Sequence, residues 1–316
     1  MAIREQVAGI DITETGVAAA CIASARGGVV VTHAWFEPLP PEAPSAEVAH
    51  RIRKVWHRGG FRTRTVAAAL NSGALLVRHF RYEGLSEDEA RSALRLEAEE
   101  SLQIPAKDLC TDVHLVRAPG NSGEGRCEAL EGLMVAAPRD AVNGLVRLLA
   151  EAGLFPVLVD VGAMAVCNLW LYLNAGREGD EVVFAINLTH RQAHMVILDR
   201  DGRAYPRTVV CGSSDWTGSL DYLAENILSQ IEYAETNLGF APTRKVLLTG
   251  ETPADPAMMD RLAAATELGV EAWTPLADPS VRKAGRVRVV SDDLAIARRM
   301  TVSLGLALRG LDGNAV

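Results

Sequence analysis

A short turn early in the chain carries residues of the types that can hold a phosphate group. It follows an apolar strand in GIDITETG, residues 9–16, and contains Asp11, Thr13 and Thr15. Backbone N–H groups of such a turn can bind phosphate, and an aspartate can organise a hydrated Mg²⁺ ion. However, Thr13 stands where glycine would let a phosphate approach most closely, and Glu14 adds negative charge beside it. The turn therefore has the outline of a nucleotide site with weakened chemistry.

A second segment, VVFAINLTHRQAHMVILDRDGRAYPRT, repeats the pattern around this turn. When Asp11 is aligned with Asn187, Thr13 falls on Thr189 and the flanking apolar residues also fall into register. Each segment has an apolar strand, a polar turn, a second apolar strand and a hairpin signal, SARGG or DRDGR, before a third strand. We interpret the pair as a duplication, with two unrelated hairpins as the alternative.

The segments between and after these turns alternate between strand and helix patterns. Residues 86–104 predict a helix that begins with a capping box, formed by Ser86 and Glu89, and that is stopped by Pro105. FPVLVDVG, residues 155–162, predicts a buried strand. Further along, KVLLTG predicts another buried strand, and DDLAIARRMTVSLGLALRG predicts one C-terminal helix. Strands that alternate with helices favour an α/β class with mixed sheets.

Composition limits the classes of partner and location. The 316 residues suffice for two domains, and 48% hydrophobic with 23% charged residues permit a substantial core. A net charge of −8 argues against nucleic acid or anionic lipid as the main partner. We expect no transmembrane helix, because no uncharged apolar run is long enough, and no signal peptide, because Arg4 and Glu5 lie near the N-terminus. Five scattered cysteines are typical of reduced thiols in a cytoplasm.

Several weak motifs follow one another in an order that resembles a known family. They are GIDI with its turn, INLTH with its turn, LLTGE and, near the C-terminus, SLGLALRG. The most specific is LSEDEARSALRLEAEESLQIPAKDL, residues 85–109. Together they resemble the actin-like ATPase superfamily and, within it, the family of the FtsA-like type IV pilus assembly protein PilM. The resemblance covers nearly the whole chain.

This resemblance implies an α/β, actin-like (ribonuclease H-like) fold of two domains with an inserted FtsA-type α+β subdomain. The first domain would comprise residues 1–76, 154–178 and 293–316. The insertion would comprise residues 77–153, and the second domain residues 179–292.

The resemblance also implies a protein partner. The inserted subdomain would help to form a groove for the cytoplasmic N-terminal peptide of a single-span, PilN-like inner-membrane protein of a pilus or secretion assembly. Candidate contacts are Arg78, Arg95, Leu102 and Ile104, although core packing explains Leu102 and Ile104 equally well. We expect a cytoplasmic protein that contacts the membrane only through this partner and binds no nucleic acid. Self-association into a homo-oligomer is left open.

In actin-like folds, two hairpin turns hold the phosphates and a third, glycine-rich turn approaches the adenosine. The resemblance therefore implies a vestigial cofactor site at Asp11, Thr13, Thr15, Asn187, Thr189 and Gly250. Asn187 cannot balance Mg²⁺ charge as an aspartate would, and the side chain of Leu188 would need the space of a phosphate. Gly250 is followed by Glu251, where further glycines are usual.

These departures predict that hydrolysis has been lost. We expect no catalytic residue, no metal site and no cofactor, with ATP and Mg as the remaining possibility. The predicted function is a non-enzymatic, actin-like scaffold of a type IV pilus or related secretion assembly. The alternative is an ATP-binding kinase of the actin-like sugar or acetate kinase class.

Overall fold

The computed structural model describes residues 7–25, 28–117, 129–175, 182–199, 202–211, 220–251, 256–279, 281–288 and 294–312. Within these ranges, the strands form three β-sheets, and α-helices pack on their faces. None of the described helices is both long enough and apolar enough to cross a lipid bilayer.

The first sheet has six strands in the order β14-β3-β2-β1-β4-β8. These are β1 (Val7–Ile12), β2 (Gly16–Ala25), β3 (Gly28–Pro38), β4 (Thr65–Ala69), β8 (Phe155–Asp160) and β14 (Lys283–Arg288). The central strand β1 is antiparallel to β2 and parallel to β4. The hairpin turn after β1 therefore lies at one end of the sheet, near the C-terminal ends of its parallel strands.

The second sheet repeats this arrangement in the order β11-β10-β9-β12-β13. Its strands are β9 (Val183–Leu188), β10 (Ala193–Leu198), β11 (Ala204–Val209), β12 (Lys245–Gly250) and β13 (Gly269–Ala272). The register repeats as well, because Val7 pairs with Ile22 and Val183 pairs with Leu198. The structure confirms the predicted duplication and the actin-like, two-domain α/β fold.

The described α-helices pack on the faces of these sheets. They are α1 (Ser45–Gly59), α2 (Glu87–Leu102), α3 (Arg139–Glu151), α4 (Gly162–Asn174), α5 (Leu220–Leu238), α6 (Pro256–Thr266), α7 (Leu294–Arg298) and α8 (Thr301–Asp312). Helices α4 and α8 lie in close contact, since a Cβ on Gly305 would overlap the backbone carbonyl of Ala165. Buried apolar residues of both helices pack against β4 and β9, so one core joins the two large sheets.

The third sheet is small and antiparallel, with strands in the order β5-β7-β6. These are β5 (Leu76–Glu83), β6 (Leu109–Arg117) and β7 (Ala129–Pro138). Helix α2 covers one face and buries Leu94 against Phe80 and Met134. Its predicted capping box is confirmed, because Ser86 N donates to Glu89 Oε2 over 2.9 Å and Glu89 N donates back to Ser86 Oγ. The sheet falls within the predicted insertion, whose boundaries stay a prediction.

Two sequence-based expectations about single elements are wrong. Strand β8 is not fully buried, since Phe155 and Val157 are 65% and 62% exposed. The reason is that β8 is the edge strand of the first sheet, and these alternate side chains face away from its packed side. The C-terminal helix is also not continuous, because α7 and α8 are separated at Arg299 and Met300. This break has a consequence for the cleft, because it places the side chain of Arg299 there.

Candidate functional site

The turn after β1, the turn after β9 and the end of β12 face one another across a cleft between the two large sheets. Thr13 N donates to Gly16 O over 2.9 Å in the first turn, and Thr189 N donates to Gln192 O over 2.8 Å in the second. The two turns therefore have the same backbone geometry. The structure brings all six sequence-predicted cofactor residues to this cleft: Asp11, Thr13, Thr15, Asn187, Thr189 and Gly250. That they once bound a nucleotide stays a prediction.

The cleft is filled by the side chains of Glu251 and Arg299. The Glu251 carboxylate accepts hydrogen bonds from Thr13 Oγ1, over 3.3 Å, and from Thr15 Oγ1. Arg299 Nη1 lies 3.3 Å from Glu251 Oε1 and donates to Thr15 Oγ1 over 2.9 Å, while the guanidinium lies over the ring of Phe36. The cavity left between these groups has a volume of about 10 Å³, which is room for about one water molecule. A carboxylate of the protein itself thus lies against the turn that would hold a phosphate.

Asp11, the residue best suited to organise Mg²⁺, is buried and 5% exposed. Its Oδ1 accepts a hydrogen bond from Asn71 Nδ2 over 2.9 Å. Burial raises the pKa of Asp11 from its ordinary value of 3.8 to about 6, and the charges of Glu251 and Glu14 add to this, while the Asn71 hydrogen bond opposes it. A carboxyl whose ionisation is disfavoured in this way is a weaker metal ligand than an exposed carboxylate, because the metal binds the deprotonated form.

The turn after β9 and the end of β12 form the side of the cleft that faces the first turn. The predicted steric obstacle at Leu188 is wrong, because its side chain packs in the core of the second sheet with Phe184 and Ile186. Alternate residues of β9 share one face, so Leu188 packs on the core side with Phe184 and Ile186, although it also borders the cleft. Gly250, with φ of 81°, is needed here, since a Cβ would overlap the backbone of Leu188. Glu251 N donates to Leu188 O over 2.7 Å, and this hydrogen bond holds Glu251 at the cleft.

A second candidate site is a channel between the third sheet and the first domain. Its volume is about 70 Å³, and its lining comes from Asp112, His114, Leu133, Val135, Asp160, Met164, Asn168 and Arg309. The first four lie on β6 and β7, on the face of the third sheet opposite to α2, because side chains alternate along a strand. The other four lie on β8, α4 and α8.

The channel is rich in hydrogen-bond acceptors. Asp160 accepts from Val161 N over 2.8 Å, and its Oδ2 lies 3.6 Å from Arg309 Nε. Burial raises the pKa of Asp160, and the nearby Asp112 adds to the effect while Arg309 opposes it. Asn168 Oδ1 is buried and has no hydrogen-bond partner in the described part of the chain. The lining therefore favours a ligand that supplies N–H donors.

The four residues predicted for partner binding lie on the other side of the third sheet. Arg78 forms an ion pair with Glu97 of α2 over 3.3 Å. Leu102 and Ile104 are partly buried against the core between α2 and the sheet, and Arg95 is exposed on α2. The structure thus brings none of the four to the channel, and their contact with a partner stays a prediction.

Sequence reasoning missed two residues of the cleft and all of the channel. Arg299 gave no signal because it sits in a predicted continuous helix, and Asn71 lies in a loop far from Asp11 in sequence. Glu251 was visible beside Gly250, but its reach to Thr13 and Thr15 depends on how the two large sheets face each other. The channel residues come from strands and helices whose patterns indicate only packing.

Comparison with known proteins gives one family and several similar structures. The chain matches a family model described as "Type IV pilus assembly protein PilM" over residues 9–222. It is similar to a chain of the "PilM-PilN type IV pilus biogenesis complex", with a TM-score of 0.80 and 21% identity over 98% of this chain and 99% of that one. A protein with actin-like ATPase fold and unknown function from Bacteroides thetaiotaomicron has a TM-score of 0.48, with 10% identity over 88% and 94%. The cytoplasmic domain of EpsL, an inner-membrane component of the type II secretion system of Vibrio cholerae, also has a TM-score of 0.48, with 11% identity over 94% of each chain.

Proposed function

The chain belongs to the type IV pilus assembly protein PilM family, and we propose that it is a cytoplasmic scaffold of a type IV pilus or related secretion assembly. In this proposal it binds the cytoplasmic N-terminal peptide of a PilN-like inner-membrane protein and does not hydrolyse ATP. Family membership and the similarity of the fold to a chain of a PilM–PilN complex support the partner. The membrane is reached through that partner.

The observation that carries the loss of ATPase activity is the position of the Glu251 carboxylate in the cleft. A nucleotide phosphate could approach the first turn only if this carboxylate left Thr13, Thr15 and Arg299. Because Arg299 is partly exposed, breaking this ion pair costs about 2 kcal/mol, below the roughly 3–5 kcal/mol of a fully buried pair, and 1.4 kcal/mol is a factor of ten in affinity. Displacement of Glu251 would therefore weaken nucleotide binding by roughly thirtyfold, before the repulsion between phosphate and any carboxylate nearby is counted.

The test is the Mg²⁺-dependent part of the stabilisation by ATP. Melting temperatures are measured with Mg–ATP and with ATP plus EDTA, because binding in an actin-like cleft needs the metal whereas other anion binding does not. We expect no difference between the two, and no phosphate release. A ligand at a hundred times its Kd adds about 2.7 kcal/mol of stability. A Mg²⁺-dependent shift of that size would refute the closed cleft, and phosphate release would refute the loss of hydrolysis and favour the kinase alternative.

We propose that the partner peptide lies in the channel between the third sheet and the first domain. The acceptors Asp112, Asp160 and Asn168 Oδ1 suit the N–H groups of a peptide and a positively charged amine, since buried acceptors need donors. Leu133 and Val135 offer apolar contact beside them. The channel has a volume of only about 70 Å³, so the peptide would open it by a small movement of the third sheet against the first domain.

A matched pair of substitutions locates the peptide. Leu133→Arg puts a long cation in the channel, whereas Leu96→Arg puts the same side chain on the exposed face of α2. Fluorescence anisotropy with a labelled N-terminal peptide of the PilN-like protein should show binding weakened at least about tenfold by Leu133→Arg and unchanged by Leu96→Arg. Unchanged binding by Leu133→Arg would refute the channel, and a loss caused only by Leu96→Arg would place the peptide at α2.

A further inference from the structure

A basic basin lies on the first domain, away from both the cleft and the channel. It has a volume of about 540 Å³ and is formed where the C-terminal ends of α1 and α3 meet the start of β4. Arg53, Arg62 and Arg64 line it together with one carboxylate, that of Glu151. The basin thus has a net positive formal charge, although the whole chain carries −8. Its volume falls in the range of small-molecule sites.

Two of these arginines are held in place by the backbone. Arg53 Nη1 donates to Glu151 O over 3.1 Å, and Arg64 Nη1 donates to Gly153 O over 3.4 Å. Glu151 O is the last carbonyl of α3, where helix carbonyls lack helical partners, and Gly153 O lies in the turn that follows the helix. A guanidinium has five N–H donors, so each arginine keeps donors for a ligand. Arg62 is exposed, and among the described residues it has neither a hydrogen bond nor an ion pair.

The floor of the basin is aromatic and apolar. Trp56 and Phe61 are stacked with their ring centroids 5.0 Å apart, and Leu154 is buried beside them. Trp56 Nε1 donates to Thr63 O over 2.8 Å, so the polar atom of the indole is already satisfied. The rings therefore present apolar surface beneath a cationic rim.

We propose that this basin binds a phosphate ester, with the phosphate held by the arginines and the organic part on the aromatic floor. Guanidinium groups match phosphate oxygens in charge and in paired hydrogen-bond geometry. A phosphate ester of this kind is found both in soluble metabolites and in the headgroups of anionic phospholipids. A bound ligand would brace α1 against the end of α3. This inference is independent of the partner site and of the closed cleft.

The simpler explanation for Arg53 and Arg64 is that they only cap α3, and Arg62 separates the two explanations. Because Arg62 has neither a hydrogen bond nor an ion pair within the described part of the chain, Arg62→Glu should leave the melting temperature nearly unchanged and still reverse the charge that a phosphate meets. Arg244→Glu, on an exposed position of the second domain, makes the same change of net charge away from the basin. Arg53→Gln with Arg64→Gln should weaken both α3 and the binding.

The experiment has a soluble arm and a membrane arm, both in EDTA. Calorimetry measures AMP and inorganic phosphate, and flotation measures vesicles of phosphatidylglycerol or phosphatidylcholine. We expect saturable binding in at least one arm. If the natural ligand is a soluble phosphate ester, AMP should bind more tightly than inorganic phosphate. If it is a lipid headgroup, the protein should float with phosphatidylglycerol vesicles in preference to phosphatidylcholine vesicles. Arg62→Glu should weaken that binding at least about tenfold, and Arg244→Glu should not change it.

Three results would overturn the inference. These are no binding of AMP or of phosphatidylglycerol vesicles, binding that Arg62→Glu does not alter, and binding that both charge reversals weaken equally. The last would mean attraction to the overall charge of the protein rather than to the basin. Loss of stability without loss of binding in Arg53→Gln with Arg64→Gln would show that these two arginines act only on α3.

Discussion

Replacing Asp11 with asparagine should stabilise the protein at neutral and alkaline pH. The carboxyl is buried at the end of β1, where burial, Glu251 and Glu14 raise its pKa to about 6. Asparagine has nearly the same shape, and its carbonyl oxygen can still accept the hydrogen bond from Asn71 Nδ2. The substitution therefore removes a disfavoured charge and keeps the neighbouring contacts.

The size and sign of the effect follow from the two pKa values. The folded protein binds the Asp11 proton more tightly than the unfolded chain does, so this group favours folding only while it is protonated. That stability is fully present below the ordinary pKa of 3.8 and is lost as the pH rises through about 6. One pKa unit corresponds to about 1.4 kcal/mol. The folded wild type therefore loses roughly 1–2 kcal/mol by pH 5 and roughly 3 kcal/mol by pH 8, and Asp11→Asn loses neither.

Urea denaturation of both proteins between pH 5 and pH 8 measures this difference. The gain in unfolding free energy from Asp11→Asn should grow with pH, by roughly 1–2 kcal/mol over this interval. Asn187→Asp is the matched variant, because it places a carboxyl at the equivalent position of the second turn. It should lose stability relative to wild type as the pH rises. Added Mg²⁺ should leave the results of this series unchanged, because we expect no metal to bind at Asp11. A bound Mg²⁺ ion would instead favour the ionised carboxylate and remove the pH dependence.

A constant difference, or one that shrinks with rising pH, would refute the reasoning about Asp11. It would mean that the carboxylate is stabilised in the folded state, either by Asn71 or by a bound cation. A pH dependence that disappears only with Mg²⁺ would point to a retained metal site in the cleft.

Three other predictions concern stability, and urea denaturation measures each. Arg299→Gln should lower the unfolding free energy by about 2 kcal/mol, because the Glu251 carboxylate loses the arginine with which it forms an ion pair. Arg299 is partly exposed, so this loss is smaller than that of a fully buried pair. An unchanged unfolding free energy would mean that water replaces the arginine. Gly250→Ala should lower the unfolding free energy by about 3 kcal/mol or more, because a Cβ would overlap the backbone of Leu188. Its control is Gly239→Ala, where φ is also positive but the space around a Cβ is open, and this variant should lose only about 1 kcal/mol. Equal losses would refute the steric argument. Gly305→Ala should destabilise the protein, because its Cβ would clash with Ala165 of α4. Its control is Gly144→Ala in α3, where the space is open and alanine should raise the unfolding free energy by about 0.5–1 kcal/mol. A stabilising Gly305→Ala would contradict the close contact between α4 and α8.

The fold was predictable where local pattern and tertiary structure agree. The duplication could be aligned because each copy needs an apolar strand, a tight polar turn and a return strand, and the register around Val7 and Val183 preserves this. Helix α2 carries its start signal in Ser86 and Glu89, which act within a single turn. Strand β8 was misjudged because the same apolar letters suit a central strand and an edge strand. Only its neighbours decide which of its side chains are covered.

The candidate site was predictable only in its backbone. Asp11, Asn187 and Gly250 end strands that a sequence pattern can place, and the three positions do meet. What fills the space between them depends on side chains that approach from elsewhere. Arg299 reaches the cleft because the C-terminal helix breaks before it, and a sequence rich in Ala, Leu and Arg gives no sign of that break. The steric argument at Leu188 failed because side chains alternate along β9, and Leu188 falls on the side that packs in the core.

The closed cleft changes what can hold the two large sheets together. In the actin-like arrangement that the sequence resembles, a nucleotide between the hairpins would contact both sheets. Here Glu251, which follows β12 of the second sheet, contacts Thr13 and Thr15 of the first, and Arg299 joins both groups. A ligand can shift a conformational equilibrium only by its difference in affinity for the two states. In the proposed function this bridge between the sheets is part of the chain, so its strength would not vary with nucleotide concentration. A change of state would then come from another surface, and the channel beside the third sheet is the surface that we propose for the protein partner.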